Sequence, residues 1–80
     1  MIICKVTMTD LYGGEFNYNW VKRLNLEFSD TASNLSIIRR IKSELGISGI
    51  KPKYKEFNKN SEFGLYYFEG FGVEFYLDYA

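Results

Sequence analysis

Eighty residues with 46% hydrophobic and 19% aromatic side chains and a single proline are too apolar for a disordered segment and long enough for one small domain, residues 1–80. One cysteine and no histidine exclude an internal disulfide and remove the usual ligands of zinc and most transition metals, so no metal or other cofactor is expected. Ten Lys and Arg balance ten Asp and Glu, which is not the charge of a dedicated nucleic-acid binder.

The charge is unevenly placed. Every basic residue falls between Lys5 and Lys59, whereas the last twenty residues hold Glu62, Glu69, Glu74 and Asp78 and no base. The first residues carry no basic leader ahead of a long apolar run, and no stretch approaches the roughly 18 apolar residues of a membrane span. Together with the low cysteine content, this predicts a cytoplasmic protein with no membrane partner.

Residues 2–8 alternate, with Ile2, Cys4, Val6 and Met8 on one side and Lys5 and Thr7 on the other, the period of a half-buried strand. Gly13-Gly14 supplies a reversing turn. Alternation resumes with Tyr18, Trp20, Leu24, Leu26 and Phe28 expected on one face, and Asn17, Asn19, Arg23, Asn25 and Glu27 on the other. These two segments form a predicted hairpin.

The period then changes. Leu35, Ile38, Ile41 and Leu45 recur at three- and four-residue spacings, a helical stripe with Ile37 beside it. Ser29, Asp30, Thr31, Ser33 and Asn34 offer N-caps, and Gly46 suits the position after the last turn. Residues 50–57 read as an edge strand because Pro52 lacks a ladder donor, with Lys51, Lys53 and Lys55 along one side. A loop over 58–61 precedes two aromatic strands, 62–68 and 71–79, joined through Glu69-Gly70. The fold class is therefore α+β: an antiparallel four- to five-stranded sheet with one helix packed on one face, in the order β-β-α-β-β-β.

One helix leaves the opposite sheet face open, and function is sought there. With Leu65, Tyr67, Val73, Phe75 and Leu77 set toward the helix, Tyr66, Phe68, Glu74, Tyr76 and Asp78 would face outward as an aromatic, acid-rimmed patch. Those residues and Trp20 are candidate anchors for a protein partner, either a foreign chain or a second copy in a homodimer. The competing explanation is that cross-strand aromatic pairs stabilise a small sheet. A second group, Arg39, Arg40 and Lys42 on the helix with Lys51, Lys53, Lys55 and Lys59 after it, could contact nucleic-acid phosphates, with Tyr54 stacking on a base. Its bland counterpart is a solvated helix face beside a guarded edge. The turn region contributes Tyr12, Glu15 and Asn17 as candidate recognition residues.

Tyr12-Gly13-Gly14-Glu15 followed by Asn17-Tyr18 and Trp20-Val21 resembles a box in short phage and prophage proteins. There a similar hairpin precedes a helix with a basic pair, here Arg39-Arg40, and a turn like Leu45 to Gly49. The similarity runs to about Lys53 and weakens in the aromatic strands. It implies an intracellular protein encoded by a virus or mobile element, and it transfers no role to any residue. The resemblance supplies no activity. Taken with the aromatic, acid-rimmed sheet face and the missing catalytic residues, it leads to the expectation of a phage-encoded inhibitor or modulator of a host defence complex, acting by surface occlusion.

Catalysis finds little support. No histidine is present for acid-base work or a triad, and Cys4 sits on the predicted buried face. Gly70-Phe71-Gly72 lacks the third glycine and following helix of a dinucleotide fingerprint. Asp10, Glu15 and Glu44 form no recognised acid spacing. The chain is expected not to be an enzyme.

Overall fold

The computed structural model describes residues 1–58 and 62–79. Its elements are β1 (Ile2–Tyr12), β2 (Glu15–Phe28), α1 (Asn34–Leu45), β3 (Tyr54–Asn58), β4 (Phe63–Tyr67) and β5 (Phe71–Tyr79). All neighbouring strands are antiparallel in the order β2-β1-β5-β4-β3, with α1 across one face. This is the α+β arrangement expected, with five strands.

The two strands nearest the chain ends, β1 and β5, lie at the centre. The strands on either side of α1, β2 and β3, lie at opposite edges, so the helix connection crosses the whole sheet. Gly13 and Gly14 both have positive φ, 63° and 83°, which a two-residue hairpin turn requires, and β1 extends to Tyr12 instead of stopping near residue 8.

Ser33 caps α1: its Oγ accepts the Ser36 N–H at 3.2 Å. Gly46 ends the helix in the left-handed region at φ 74°, and the Ile47 N–H donates to the Lys42 carbonyl at 2.9 Å. Ile37, Ile41 and Leu45 are the buried stripe, with Ile38 at its margin. Leu35, expected in that stripe, is 59% exposed. Four-residue spacing carries the buried row, whereas Leu35 in the first turn lines an open cleft with Phe57 and Tyr66.

Between α1 and the sheet, Ile2, Cys4 and Val6 pack with Leu26, Val73, Phe75 and Leu77 and with the helix stripe. Gly64 lies opposite Phe75, and a Cβ there would fall 2.0 Å from the ring's Cζ, so the missing side chain is the socket for the ring. Phe57 meets the same ring at 4.8 Å.

Two expectations are corrected here. The third strand begins at Tyr54, because the Ile50 N–H is still bonded to the Ile47 carbonyl in a turn and Pro52 has no N–H to offer. Lys51 and Lys53 therefore precede the strand, although the Lys53 N–H still donates to the Tyr67 carbonyl at 2.7 Å, and only Lys55 lies within it. Lys59, with most of the loop expected over 58–61, lies outside the described residues.

The other correction concerns β4. Leu65 pairs with Glu74 and Tyr66 with Val73, and paired residues share a face. Tyr66 and Phe68 therefore join Val73 and Phe75 on the helix side, while Leu65 and Tyr67 face outward. The cause is the two-residue turn. The Phe68 N–H donates to the Phe71 carbonyl at 2.9 Å, so an even position on one strand meets an odd position on the other.

Candidate functional site: the open sheet face

The site is built by β-alternation, one glycine socket and one bulge. Opposite α1, β5 presents Glu74, Tyr76 and Asp78 as expected, and β4 adds Phe63, Leu65 and Tyr67. Phe63 and Tyr76 are cross-strand partners with ring centroids 5.0 Å apart. Tyr67 faces Tyr54 of β3, with centroids 5.9 Å apart.

The hairpin supplies the rest. Regular pairing of β1 with β2 runs from Ile2↔Phe28 to Thr9↔Val21 and resumes at Leu11↔Phe16. Residues 17–20 thus stand opposite Asp10 alone, a wide bulge in β2. The Asp10 carboxylate holds it, accepting from Asn17 Nδ2 and from the Asn19 N–H, both at 2.8 Å. These bonds, that of Asn17 first, draw the Asp10 carboxyl below its ordinary pKa of 3.8. Thr9, fully buried, donates its hydroxyl to the Trp20 carbonyl at 2.7 Å.

The bulge shifts the phase of β2. Tyr18 takes a positive φ of 56°, which is uncommon for a residue with a side chain. It therefore does not share a face with Leu24 and Leu26, as simple alternation predicts. Instead it meets Phe16 edge-on at 6.0 Å, and Phe16 meets Tyr67 at 5.4 Å. Phe16 lies over Gly72, where a Cβ would come within 2.2 Å of its Cε1. The row Tyr18–Phe16–Tyr67–Tyr54 is thus a continuous run of ring contacts from β2 across to β3. Phe63 and Tyr76 form a second cluster.

Acidic groups lie among the rings. The Tyr18 phenol is held above its usual pKa, first by partial loss of water and then by the Glu74 carboxylate, with Arg23 opposing. Tyr54 donates to Glu56 Oε2 at 2.7 Å, which also raises its pKa. Lys5 reaches Asp78 at 3.8 Å. Tyr18, Tyr54 and Tyr76 are each about half exposed, at 53%, 50% and 50%.

Several sequence-derived candidates fall elsewhere. Phe68 is 2% exposed and stacks on Phe71 at 4.8 Å beneath the helix layer. Tyr66 packs against the same core, and burial raises its phenol pKa. Trp20 sits in the bulge, 43% exposed, and its ring belongs to none of the ring contacts among the described residues. Asn17 is engaged by Asp10, whereas Tyr12 and Glu15 are exposed partners at the turn. The missed members are Phe16, Tyr18, Tyr54, Phe63, Leu65 and Tyr67. The two-residue Glu69-Gly70 turn was the signal for Leu65 and Tyr67.

The basic group is dispersed. Arg40 lies 3.7 Å from Glu44 and over the Phe28 ring at 5.7 Å, and Lys53 pairs with Glu69. Lys42 and Lys55 line a cleft of about 460 Å³ on the helix side, with Leu35, Ile38, Phe57 and Tyr66 among its walls. Arg39 and Lys51 are exposed. These bases lie along the helix and the β3 edge and do not form one surface with the open face.

Cys4 is buried, and loss of water pushes its thiol up to about 12, so it packs as a small apolar group. Among the described residues no three His, Cys, Asp or Glu side chains cluster, and no helix is long and apolar enough to cross a membrane. No protein-family model matches this chain, and neither does any curated protein or solved structure.

Proposed function

We propose that the chain is a non-catalytic protein-binding module that acts by covering a partner's surface with its open sheet face. One observation carries this reading: the row Tyr18–Phe16–Tyr67–Tyr54 crosses the face that the single helix leaves uncovered. Tyrosine gives large, rigid contact area with a polar tip, at low cost in side-chain entropy. Glu56, Glu74 and Asp78 among the rings favour a partner surface that carries arginine with apolar neighbours, since guanidinium can pair with a carboxylate and stack on a ring.

The resemblance to short phage and prophage proteins directs the search to complexes in the cytoplasm of a bacterial host, defence complexes first. Affinity capture from a host lysate should compare the wild type, Tyr67→Ala plus Tyr76→Ala, and Arg39→Ala plus Arg40→Ala. Partners lost with the tyrosines and kept without the arginines are the expected result. Recovery of the same partners by the tyrosine variant would remove this face from consideration. A salt-sensitive gel shift with DNA or RNA that depends on the arginine pair would favour nucleic acid as the partner instead.

A further inference from the structure

The two edges of the sheet differ in how far they are protected. At one edge, β3 has five residues, follows Pro52 and carries Lys55, three devices that discourage pairing. At the other, β2 has 14 residues. Its first half is broken by the bulge, but residues 21–28 run in regular register with β1. Alternate backbone groups of such a strand point away from the sheet. Among the described residues, no backbone–backbone hydrogen bond outside the ladders involves residues 21–28, and the side-chain bonds to Asn19 and Trp20 stay within the bulge. Here the fold leaves a straight, exposed template for another strand.

Symmetry restricts how a second copy could use it. A two-fold axis that lays an edge strand antiparallel beside its own copy stands perpendicular to the sheet, so facing residues come from the same side. A residue of β2 must then lie on the axis. Lys22 or Arg23 on the axis would oppose like charges directly. Leu24 there would set Val21 against Glu27 and Lys22 against Leu26. With Asn25 on the axis, Arg23 faces Glu27 twice, Leu24 faces Leu26 twice, Lys22 lies against Phe28 at each end, and the two Asn25 residues meet amide to amide. Within residues 21–28 this is the register that sets opposite charges face to face.

We propose that β2 pairs with β2 of a second copy of this chain in the register centred on Asn25, joining two five-stranded sheets into one. The self-complementary pattern selects a second copy over a foreign strand. Both helices then lie on one side, and both open faces form one continuous surface on the other. This pairing is independent of what the open face binds.

Arg23 and Glu27 are exposed, so reversing their charges leaves the core untouched. Sedimentation of the intact chain over a concentration series should show a monomer–dimer equilibrium. Arg23→Glu and Glu27→Arg should each weaken it by roughly tenfold, because two symmetry-related attractions become repulsions. The double variant Arg23→Glu plus Glu27→Arg should restore wild-type association. A wild type that stays monomeric up to the millimolar range overturns the proposal. So does a dimer indifferent to both single reversals, or a double variant as weak as the singles. Tyr67→Ala plus Tyr76→Ala should leave the dimer intact; dissociation by that variant would place the contact on the open face instead of the edge.

Discussion

The two faces of this sheet are built from the same residue types and end in different states. Phe75 and Tyr76 are neighbours in the chain; one is fully buried under α1 and the other is half exposed. Beneath the helix, rings pack against aliphatic residues and a glycine socket, where close packing makes every methylene count. On the open face, rings touch one another over backbone and leave an edge to water. The covered face carries stability, and the open face carries contact area that folding does not consume.

The largest expected effect tests that division directly. Phe75→Ala should cost about 3–5 kcal/mol in a denaturant titration, whereas Tyr76→Ala next to it should cost less than about 1 kcal/mol. Similar losses at both sites would mean that the open face is a second core.

Alkaline titration referenced to Cys4→Ala reads the covered face, because the tyrosines of both faces are common to the two forms. Burial raises the Cys4 thiol from an ordinary 9.0 to about 12. Ionisation is therefore easier in the unfolded chain, and the stability tied to the neutral thiol is present below pH 9 and lost as pH rises toward 12. Above pH 9 the stability of the wild type relative to Cys4→Ala should fall by about 1.4 kcal/mol per pH unit. Parallel pH profiles for the two forms would show that the thiol is not held in a dry site.

The two sheet glycines sharpen the comparison. Alanine at Gly64 would put a methyl 2.0 Å from Phe75 in a packed core and should cost roughly 1–3 kcal/mol. Gly72→Ala would meet Phe16, a ring only partly buried, which can swing outward. It should cost less stability and displace the aromatic row, read as weaker partner capture with a smaller shift in the denaturation midpoint.

The smallest effect is local. Because Asp10 has its pKa lowered by the Asn17 and Asn19 bonds, its contribution is complete above pH 3.8 and fades as pH falls through the lower folded value. Acidification, or Asp10→Asn, should shift the Asn19 amide and the Tyr18 ring in an NMR spectrum while leaving the core signals in place. Unchanged Tyr18 signals would show that the bulge holds its shape without the carboxylate.

Much of this was legible along the chain. Alternation of Ile2, Cys4 and Val6 set the inner side of β1, and the Gly13-Gly14 turn and the Ser33 and Gly46 caps marked their boundaries. The open face was legible too, as the consequence of one helix over a wide sheet. Its membership was not. Tyr66 and Phe68 were exchanged for Leu65 and Tyr67 because a strand's period gives alternation without saying which half faces in. Tyr18 was placed with Leu24 because nothing local announced a four-residue bulge held by Asp10.

The amino-acid sequence by itself determined the element types, the antiparallel α+β class and the buried cysteine, since these follow from short-range periodicity, caps and turn chemistry. Only the tertiary structure decided the strand order, the phase of β4 and the position of Tyr18. The strand order depends on β1 pairing with the distant β5, and the other two depend on register within the β4–β5 and β1–β2 hairpins; pairing register is a property of two segments together that neither carries alone.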